Sequence, residues 1–193
     1  MKEYLIIFLA TVLINNLVLT KFLGFCIFFG VSKKLDTAFG MGIAVTFVMV
    51  SSSIILWPIW NFVLIPLHLE FIKVICFIVV IASFVQLVEI LVKRFSPVLY
   101  RNWGVYLVLI ASNCIVFGVP LIMVEEKYDF IGAVINALGC GVGFTLAIAL
   151  LSSMRERLDV ANIPESLKGL PISFIIAGLL AISFMGFQGL ISL

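Results

Sequence analysis

The fold of this chain is decided by Leu13-Ile14-Asn15-Asn16-Leu17-Val18-Leu19-Thr20-Lys21-Phe22-Leu23-Gly24-Phe25-Cys26. This stretch lies in the first long apolar run, yet it contains two adjacent amides, an ammonium group, a glycine and a thiol. Polar groups are costly in hydrocarbon, and those within membrane spans usually face the protein interior or mark a working site. We therefore expect this stretch and its counterpart in the second half to form the functional centre.

The composition indicates a membrane protein. The 193 residues are 64% hydrophobic and 11% charged, with a mean hydropathy of +1.31, whereas a soluble domain needs far more polar surface. A transmembrane helix needs about 20 apolar residues, and six runs qualify: 4–29, 37–57, 71–92, 102–124, 130–151 and 170–192. We expect an all-α membrane protein with six transmembrane helices, forming one integral membrane domain over residues 1–193, and no nucleic-acid partner.

The basic residues predict the orientation. Most of them follow the first, third and fifth runs: Lys33, Lys34, Lys93, Arg94, Arg101, Arg155, Arg157 and Lys168. The other side of the membrane would hold only Lys2, Lys73 and Lys127. The positive-inside rule then makes the loops between spans 1 and 2, 3 and 4, and 5 and 6 cytoplasmic, with both termini on the outer side.

The two halves of the chain resemble each other. Residues 38–46 match 137–145 at an offset of 99, and Asn16 matches Asn113 at an offset of 97. Because each half holds three spans, an odd number, the second half is predicted to be inserted upside down relative to the first. Such an inverted repeat, about 1–95 followed by about 96–193, is expected to hold its site near the midplane, at discontinuous helices.

A depth calculation supports the inverted repeat. Asn16 lies 12 residues past Tyr4, and Asn113 lies 12 residues past Arg101. At about 1.5 Å per residue each asparagine is roughly 18 Å from its own entry face, in a hydrocarbon core of about 30 Å. The two asparagines therefore approach the midplane from opposite sides.

Some polar and small residues have more than one interpretation. Gly42 and Gly141 are expected to allow close helix packing, because no strand precedes them as a nucleotide loop would require. Glu89 and Lys93 are an i,i+4 pair or, through Glu89, part of an ion relay. Lys21 either snorkels to the cytoplasmic face or faces the bundle and balances a negative group.

All four cysteines lie in apolar runs, which argues against a disulfide framework. Cys76 and Cys140 are expected to act as small hydrophobic side chains. Cys26 and Cys114 have less ordinary surroundings, because one follows the glycine of the first run and the other follows Asn113 directly. Two thiolates cannot complete an iron–sulfur centre, which normally takes four, so the residues alone leave a half-site awaiting a partner.

Several motifs resemble a known family. The stretch ending at Cys26 resembles the opening motif of the RnfA family of membrane subunits, from the Rnf complex. The same resemblance extends to Val31-Ser32-Lys33-Lys34-Leu35, Ser96-Pro97-Val98-Leu99-Tyr100-Arg101, Asn113-Cys114, Arg155-Glu156-Arg157-Leu158 and Phe184-Met185-Gly186-Phe187. The NqrD and NqrE proteins of the sodium-pumping NADH:quinone reductase are homologous to this family, but the Asn15-Asn16 pair and Lys21 look more like the Rnf member.

The resemblance implies a function shared with other chains. The Rnf complex couples electron transfer between ferredoxin and NAD⁺ to movement of Na⁺ or H⁺ across the bacterial cytoplasmic membrane. RnfA pairs there with the homologous RnfE, which has the opposite topology, alongside RnfB, RnfC, RnfD and RnfG. A [2Fe-2S] cluster lies at the interface of RnfA and RnfE, and the resemblance maps two of its ligands to Cys26 and Cys114. No complete catalytic site is expected in this chain.

Unbroken helices could not bring these two cysteines to one cluster. Cys26 lies 22 residues past Tyr4, or about 33 Å down a straight helix, whereas Cys114 would be about 20 Å from the inner face. We therefore expect breaks near Asn15–Gly24 and near Asn113–Pro120, covered by protein or a cavity. The supporting residues would be Asn15, Asn16, Lys21 and Asn113, with Gly24 permitting the turn.

Two other function classes remain open at this point. Inverted repeats with broken helices are common in secondary transporters, which need no redox centre. A purely structural membrane scaffold is the third possibility. The presence of iron discriminates among the three.

Overall fold

The computed structural model describes residues 2–32, 35–66, 70–95, 109–110, 113–161, 164 and 167–186. Across these residues the regular elements are helical and none is a strand, which confirms the all-α prediction. The helices are α1 (Lys2–Leu9), α2 (Leu17–Thr20), α3 (Phe25–Val31), α4 (Leu35–Ile59), α5 (Lys73–Phe95), α6 (Cys114–Glu125), α7 (Phe130–Asp159) and α8 (Leu170–Met185). A π-helical turn extends α1 over Ala10–Ile14 and another extends α4 over Trp60–Leu64, and a 3₁₀ turn at Glu70–Ile72 precedes α5.

Three helical stretches are long and apolar enough to cross a membrane: Leu35–Leu64, Lys73–Ile90 and Phe130–Leu158. Three shorter apolar helices accompany them: Tyr4–Ile14, Cys114–Glu125 and Leu170–Met185. Large apolar side chains such as Phe47 and Ile182 are exposed on the outside, as expected for helices that face lipid. The prediction of a helical membrane protein is confirmed at this level.

Two predicted boundaries are wrong. Helix α7 does not end at residue 151 but continues to Asp159, so Arg155, Glu156 and Arg157 are helical rather than part of a loop. Charged side chains at the end of a long helix extend past the apolar region without interrupting its backbone hydrogen bonds. Pro58 does not close the second run either, because it lies inside α4, where only one backbone N–H is lost before the π turn follows.

Some predicted features lie outside the described residues. These are the loop at 96–100, the start of the fourth run at 101–108, and the C-terminal end of the sixth run from residue 187. The aromatic and basic residues within these segments lie outside the described part of the chain with them, as does His68.

Helices α4 and α7 pack closely at the centre of the molecule. A Cβ atom added at Gly42 would lie 2.9 Å from the Cβ of Thr145, and one added at Gly141 would lie 2.7 Å from the Cβ of Thr46. Each threonine hydroxyl donates to a carbonyl of its own helix, Thr46 to Gly42 at 2.7 Å and Thr145 to Gly141 at 2.8 Å. The prediction that these glycines serve close helix packing is confirmed.

The first apolar run packs against a second face of helix α7. Gly139 and Gly143 make room for it, because added Cβ atoms would lie 3.1 Å from the Cβ of Thr11 and 3.2 Å from the carbonyl oxygen of Val12, respectively. The last turn of the α1 segment therefore ends against the middle of α7, and this contact positions the break that follows.

Candidate functional site at two helix breaks

The first break begins at Asn15 and Asn16. Asn15 ends the π-helical turn with φ −97° and ψ 42°, and Asn16 is extended at φ −63° and ψ 107°. Asn16 caps α2, because its Oδ1 accepts a hydrogen bond from the backbone N–H of Val18 at 3.2 Å. Its Nδ2 donates to the carbonyl oxygen of Gly143 at 2.8 Å. The buried Asn16 side chain thus caps α2 and also ties the break to the middle of α7.

This break lies opposite the middle of α7. Gly143 lies 13 residues after Phe130, the first residue of α7, or about 20 Å along the helix. The whole of α7 has 30 residues and is therefore about 45 Å long. Asn16 lies close to the halfway point of α7.

A second break follows within one helical turn. Helix α2 ends at Thr20 with Lys21 as its C-cap, and the next residues include Phe22 at φ 54° and Gly24 at φ 87°, both in the left-handed region. Glycine adopts this conformation without a steric penalty, which explains its place at the start of α3. The prediction that the first run is broken between Asn15 and Gly24 is confirmed.

The fourth run has a single break among its described residues, at Asn113. Residues 109–110 are helical, Asn113 is extended at φ −77° and ψ 119°, and α6 begins at Cys114. The Asn113 Oδ1 caps α6 by accepting from the backbone N–H of Ile115 at 3.3 Å. Pro120 lies inside α6, so the break is confirmed at Asn113, and the part of the predicted interval that reaches Pro120 is wrong.

The two breaks are in contact. A Cβ atom added at Gly24 would lie 3.1 Å from the Oδ1 of Asn113 and 3.4 Å from the Cβ of Ile115. Cys26 is the second residue of α3 and Cys114 is the first residue of α6. The structure therefore brings the starts of the two cysteine-bearing helices together, and both cysteines are exposed at the surface of the chain.

The other two cysteines differ from this pair. Cys140 is 3% exposed and belongs to the apolar core, as expected for a cysteine that acts as a small hydrophobic side chain. Cys76 on α5 is half-buried. Among the described residues, no three His, Cys, Asp or Glu side chains are grouped so that they could hold a metal ion.

The chemistry of the exposed pair fits half of a thiolate-ligated centre. Cys114 begins the 12-residue helix α6 and Cys26 lies in the first turn of α3, so both thiols are presented from helix starts. An iron–sulfur cluster normally takes four cysteine ligands, so a surface pair can supply two and leaves two to a facing chain.

Asn15 and Lys21 border a cavity whose lining does not include the surface pair. The cavity has a volume of about 350 Å³ and is also lined by Glu126 and Tyr128 of the turn between α6 and α7. That turn precedes α7, whereas the loop after α3 lies at the far end of α7, near Arg155. Lys21 therefore opens toward the end of the bundle opposite the one predicted for a snorkelling side chain.

Arg155 fixes the end of α3 and Glu156 the start of α4, and neither contact was predicted from the sequence. The Nη1 of Arg155 donates to the carbonyl oxygen of Phe29 at 3.1 Å and to the Oγ of Ser32 at 2.7 Å. The Oε1 of Glu156 accepts from the backbone N–H of Leu35 at 2.9 Å. The available signal was the charged Arg155-Glu156-Arg157 sequence, but its contacts span more than 120 residues of chain and no local pattern reveals them.

Comparison with known proteins agrees with the resemblance drawn from the motifs. The Rnf-Nqr subunit family of membrane proteins matches residues 4–191. The A subunit of the proton-translocating ferredoxin:NAD(+) oxidoreductase complex of Clostridium ljungdahlii is 51% identical over 193 residues and is covered in full, as is this chain. The A subunit of the ion-translocating oxidoreductase complex of Syntrophotalea carbinolica is 49% identical over 191 residues, 99% of each chain, and that of Vibrio cholerae is 49% identical over 193 residues, the whole of each chain. The chain belongs to the Rnf-Nqr family of membrane subunits.

Proposed function

We propose that this chain is a subunit of a redox-driven ion pump of the Rnf type, which couples electron transfer between ferredoxin and NAD⁺ to translocation of Na⁺ or H⁺. The full-length similarity to the A subunits of such complexes supports this function, and so do the membrane-length helices. The chain is thus a subunit of an oxidoreductase complex in a bacterial cytoplasmic membrane. The coupled reaction belongs to the whole complex.

The chain's own contribution would be half of an intramembrane [2Fe-2S] site. The observation that carries this proposal is the contact between the breaks at Gly24 and Asn113, which brings together the starts of the helices bearing Cys26 and Cys114. These two thiols would hold one side of the cluster, and a homologous RnfE protein of opposite topology would supply the other two ligands. When bound, such a cluster accepts and releases one electron at a time.

The residues around the two cysteines would orient them. Asn113 fixes the first turn of α6 through the Ile115 N–H, and Gly24 provides the left-handed start of α3. Arg155 holds the Phe29 carbonyl in the last turn of α3 and the Ser32 hydroxyl that follows the helix. Each contact restrains the helix that presents a thiol.

The same chain would form two inverted three-span repeats, about 1–95 and about 96–193, within one membrane domain. The reciprocal contacts of Gly42 with Thr145 and of Gly141 with Thr46 support this arrangement, because a two-fold relation exchanges partners in this way. A surface groove of about 610 Å³ between α4 and α7 adds support. Its ten lining residues form five pairs at the offset of 99: Phe39 with Leu138, Ile43 with Val142, Thr46 with Thr145, Phe47 with Leu146, and Val50 with Ala149.

The proposed orientation has both termini outside and the loops between spans 1 and 2, 3 and 4, and 5 and 6 in the cytoplasm. Arg155 and Arg157 near the end of α7, and Lys93 and Arg94 near the end of α5, support it. In the assembled pump the chain would also meet RnfB, RnfC, RnfD and RnfG.

The test replaces single cysteines in the intact complex. Cys26→Ala and Cys114→Ala should each abolish one [2Fe-2S] signal in the paramagnetic resonance spectrum of the reduced complex. Electron transfer from ferredoxin to NAD⁺ should fall by about 10²-fold or more, because the loss of one thiolate ligand disrupts the cluster.

The matched control is Cys76→Ala, which changes a cysteine on α5 that lies outside the apolar core. Cys76→Ala should retain the signal and the rate. If Cys26→Ala and Cys114→Ala also retain both while ion movement is lost, the chain works as an inverted-repeat secondary transporter and the cluster proposal is wrong.

A further inference from the structure

A polar cavity beside the first break has no part in the proposed cluster site. It has a volume of about 350 Å³ and is bordered by the α1 segment, the end of α6 and the start of α7. Its polar lining consists of Thr11, Asn15, Lys21, Glu126, Tyr128 and Asn136. One ammonium group, one carboxylate and two amides thus line a single cavity in an otherwise apolar helix bundle.

One of these side chains has an unmet hydrogen-bonding group. Asn136 is 2% exposed, and its Nδ2 has no hydrogen-bond partner among the described residues. Its Oδ1 has only the Sγ of Cys140 nearby, at 3.8 Å. A buried amide without a partner is costly unless water or another polar ligand reaches it. The cavity is far larger than the roughly 30 Å³ that one water occupies in the liquid, so solvent can fill it.

The cavity runs from a helix turn toward the first break. Glu126 and Tyr128 belong to the turn between α6 and α7, and Asn136 lies six residues after the start of α7, or about 9 Å along that helix. Asn15 and Lys21 mark the other end, beside the break that lies halfway along α7. A second cavity of about 540 Å³ meets the turn at Tyr128 and contains Lys73 and Glu125.

We propose that this cavity is a water-filled access path for a hydrated monovalent cation, entered at the α6–α7 turn and ending at the ammonium charge of the exposed Lys21 beside the first break. The carboxylate of Glu126 and the amide oxygens of Asn15 and Asn136 supply the oxygen ligands that hard cations prefer. The Lys21 ammonium repels a cation that reaches the inner end. The identity of the cation as the pumped ion rests on the proposed function, but the one-sided access of water does not.

The access path can be tested by thiol labelling in membrane vesicles that carry the whole complex. Ala10 lines the cavity, so Ala10→Cys should react with a charged, membrane-impermeant methanethiosulfonate reagent, with the site identified by peptide mass spectrometry. Ala149→Cys is the matched control, because it lines the apolar groove between α4 and α7. The cavity cysteine should react about tenfold faster or more, because a charged reagent does not enter apolar surroundings.

The side of entry is defined by a marker on the turn. Lys127→Cys lies on the exposed α6–α7 turn, and Ala10→Cys should be labelled in the same vesicle orientation as this marker and not in the opposite one. Labelling that is slower in Na⁺ than in K⁺ buffer assigns the path to Na⁺. Equal labelling rates in the two buffers assign it to protons carried by water.

Two results would overturn the proposal. One is labelling of Ala10→Cys no faster than that of Ala149→Cys in a complex that still assembles, and the other is equal labelling from both sides. The charge barrier at Lys21 is tested separately. Lys21→Ala should make vesicles lose an imposed cation gradient several-fold faster, and an unchanged leak would contradict the barrier. None of these measurements requires the iron site, so its absence would not be mistaken for a failure of the access path.

Discussion

The two halves of the internal repeat make matching contacts at the centre of the molecule but differ at the two helix breaks. At the centre, Gly42 meets Thr145 and Gly141 meets Thr46, so each half makes the same contact with the other. At the breaks, Asn16 and Asn113 cap helices α2 and α6 in the same way through Oδ1. Their amide nitrogens differ, because Asn16 donates to Gly143 whereas Nδ2 of Asn113 has no partner in the described part of the chain.

This difference shows at which positions the two halves must carry the same residues and at which positions they can differ. Close packing of two helices leaves no freedom at the contact, so both halves keep the same glycine and threonine. A break requires only the capping hydrogen bond to the side-chain oxygen of its asparagine. The amide nitrogen can therefore make different contacts in the two halves. The first run uses this freedom for a second break at Gly24 and for a polar cavity at Lys21.

The largest expected effect would come from filling the central contact. Gly141→Ala should destabilise the complex by about 1–3 kcal/mol, because the new methyl group overlaps Thr46 and the two helices must separate. The measurement is the melting temperature of the purified complex. Gly42→Ala should cost a similar amount, since its contact with Thr145 has the same form.

Two further variants separate packing from loss of a glycine. Gly178→Ala on α8 has no atom within 4 Å of the new Cβ and should leave the melting temperature unchanged. Adding Thr46→Gly to Gly141→Ala should recover part of the loss. Equal melting temperatures for Gly141→Ala and Gly178→Ala would show that the central contact is not constrained.

A smaller effect should distinguish the two asparagines. Serine retains a capping oxygen but is too short to replace a long amide contact. Asn16→Ser should cost about 0.5–1.5 kcal/mol because the buried bond to Gly143 is lost. Asn113→Ser should change stability by less than about 0.5 kcal/mol, because it removes an amide nitrogen that has no partner among the described residues.

The two serine variants are best compared by thermal unfolding under the same conditions. Asn16→Asp and Asn113→Asp provide a second comparison, since they keep the side-chain length and the capping oxygen. If both serine variants lose the same stability, the amide of Asn113 has a partner in the complex, and the two breaks are more alike than their hydrogen bonds indicate.

The smallest expected effect concerns Tyr128 in the turn beside the cavity. Burial, followed by the negative charge of Glu126, raises the pKa of Tyr128 above its ordinary value of 10.0. Because the folded pKa exceeds the unfolded one, the protonated phenol favours the folded state. This contribution is complete below the unfolded pKa and is lost as the pH rises through the folded pKa.

Phenolate absorbance measures this titration. The difference between the unmodified complex and Tyr128→Phe should show one tyrosine that ionises above pH 10.0. Glu126→Gln should move that transition to lower pH. A transition at the ordinary pH would mean that Tyr128 is solvated and that the turn does not enclose the cavity.

The sequence predicted the breaks because straight helices would place Cys26 and Cys114, which the family resemblance assigns to one cluster, at different depths. The asparagines and Gly24 then indicated where the backbone could leave the helix. The glycines at 38–46 and 137–145 were predicted from local chemistry, since a glycine admits a neighbouring helix wherever it lies.

Other features could not be predicted because they depend on distant contacts. Nothing local shows that Arg155 reaches Phe29 and Ser32, or that Asn136 lies beside Lys21. The end of α7 was placed too early, because charged residues after an apolar run look like a loop when no partner is known. The direction of Lys21 depended on the cap that ends α2 and on the left-handed residues that follow it, and no sequence pattern predicts either.

Iron-edge anomalous diffraction from the intact complex tests the central claim most directly. The contact between Gly24 and Asn113 predicts an iron peak within ligand distance of the Sγ atoms of both Cys26 and Cys114. The remaining two ligands should come from the facing protein of the complex. A map that shows the other iron centres of the complex but no peak beside these two cysteines would contradict the proposed site.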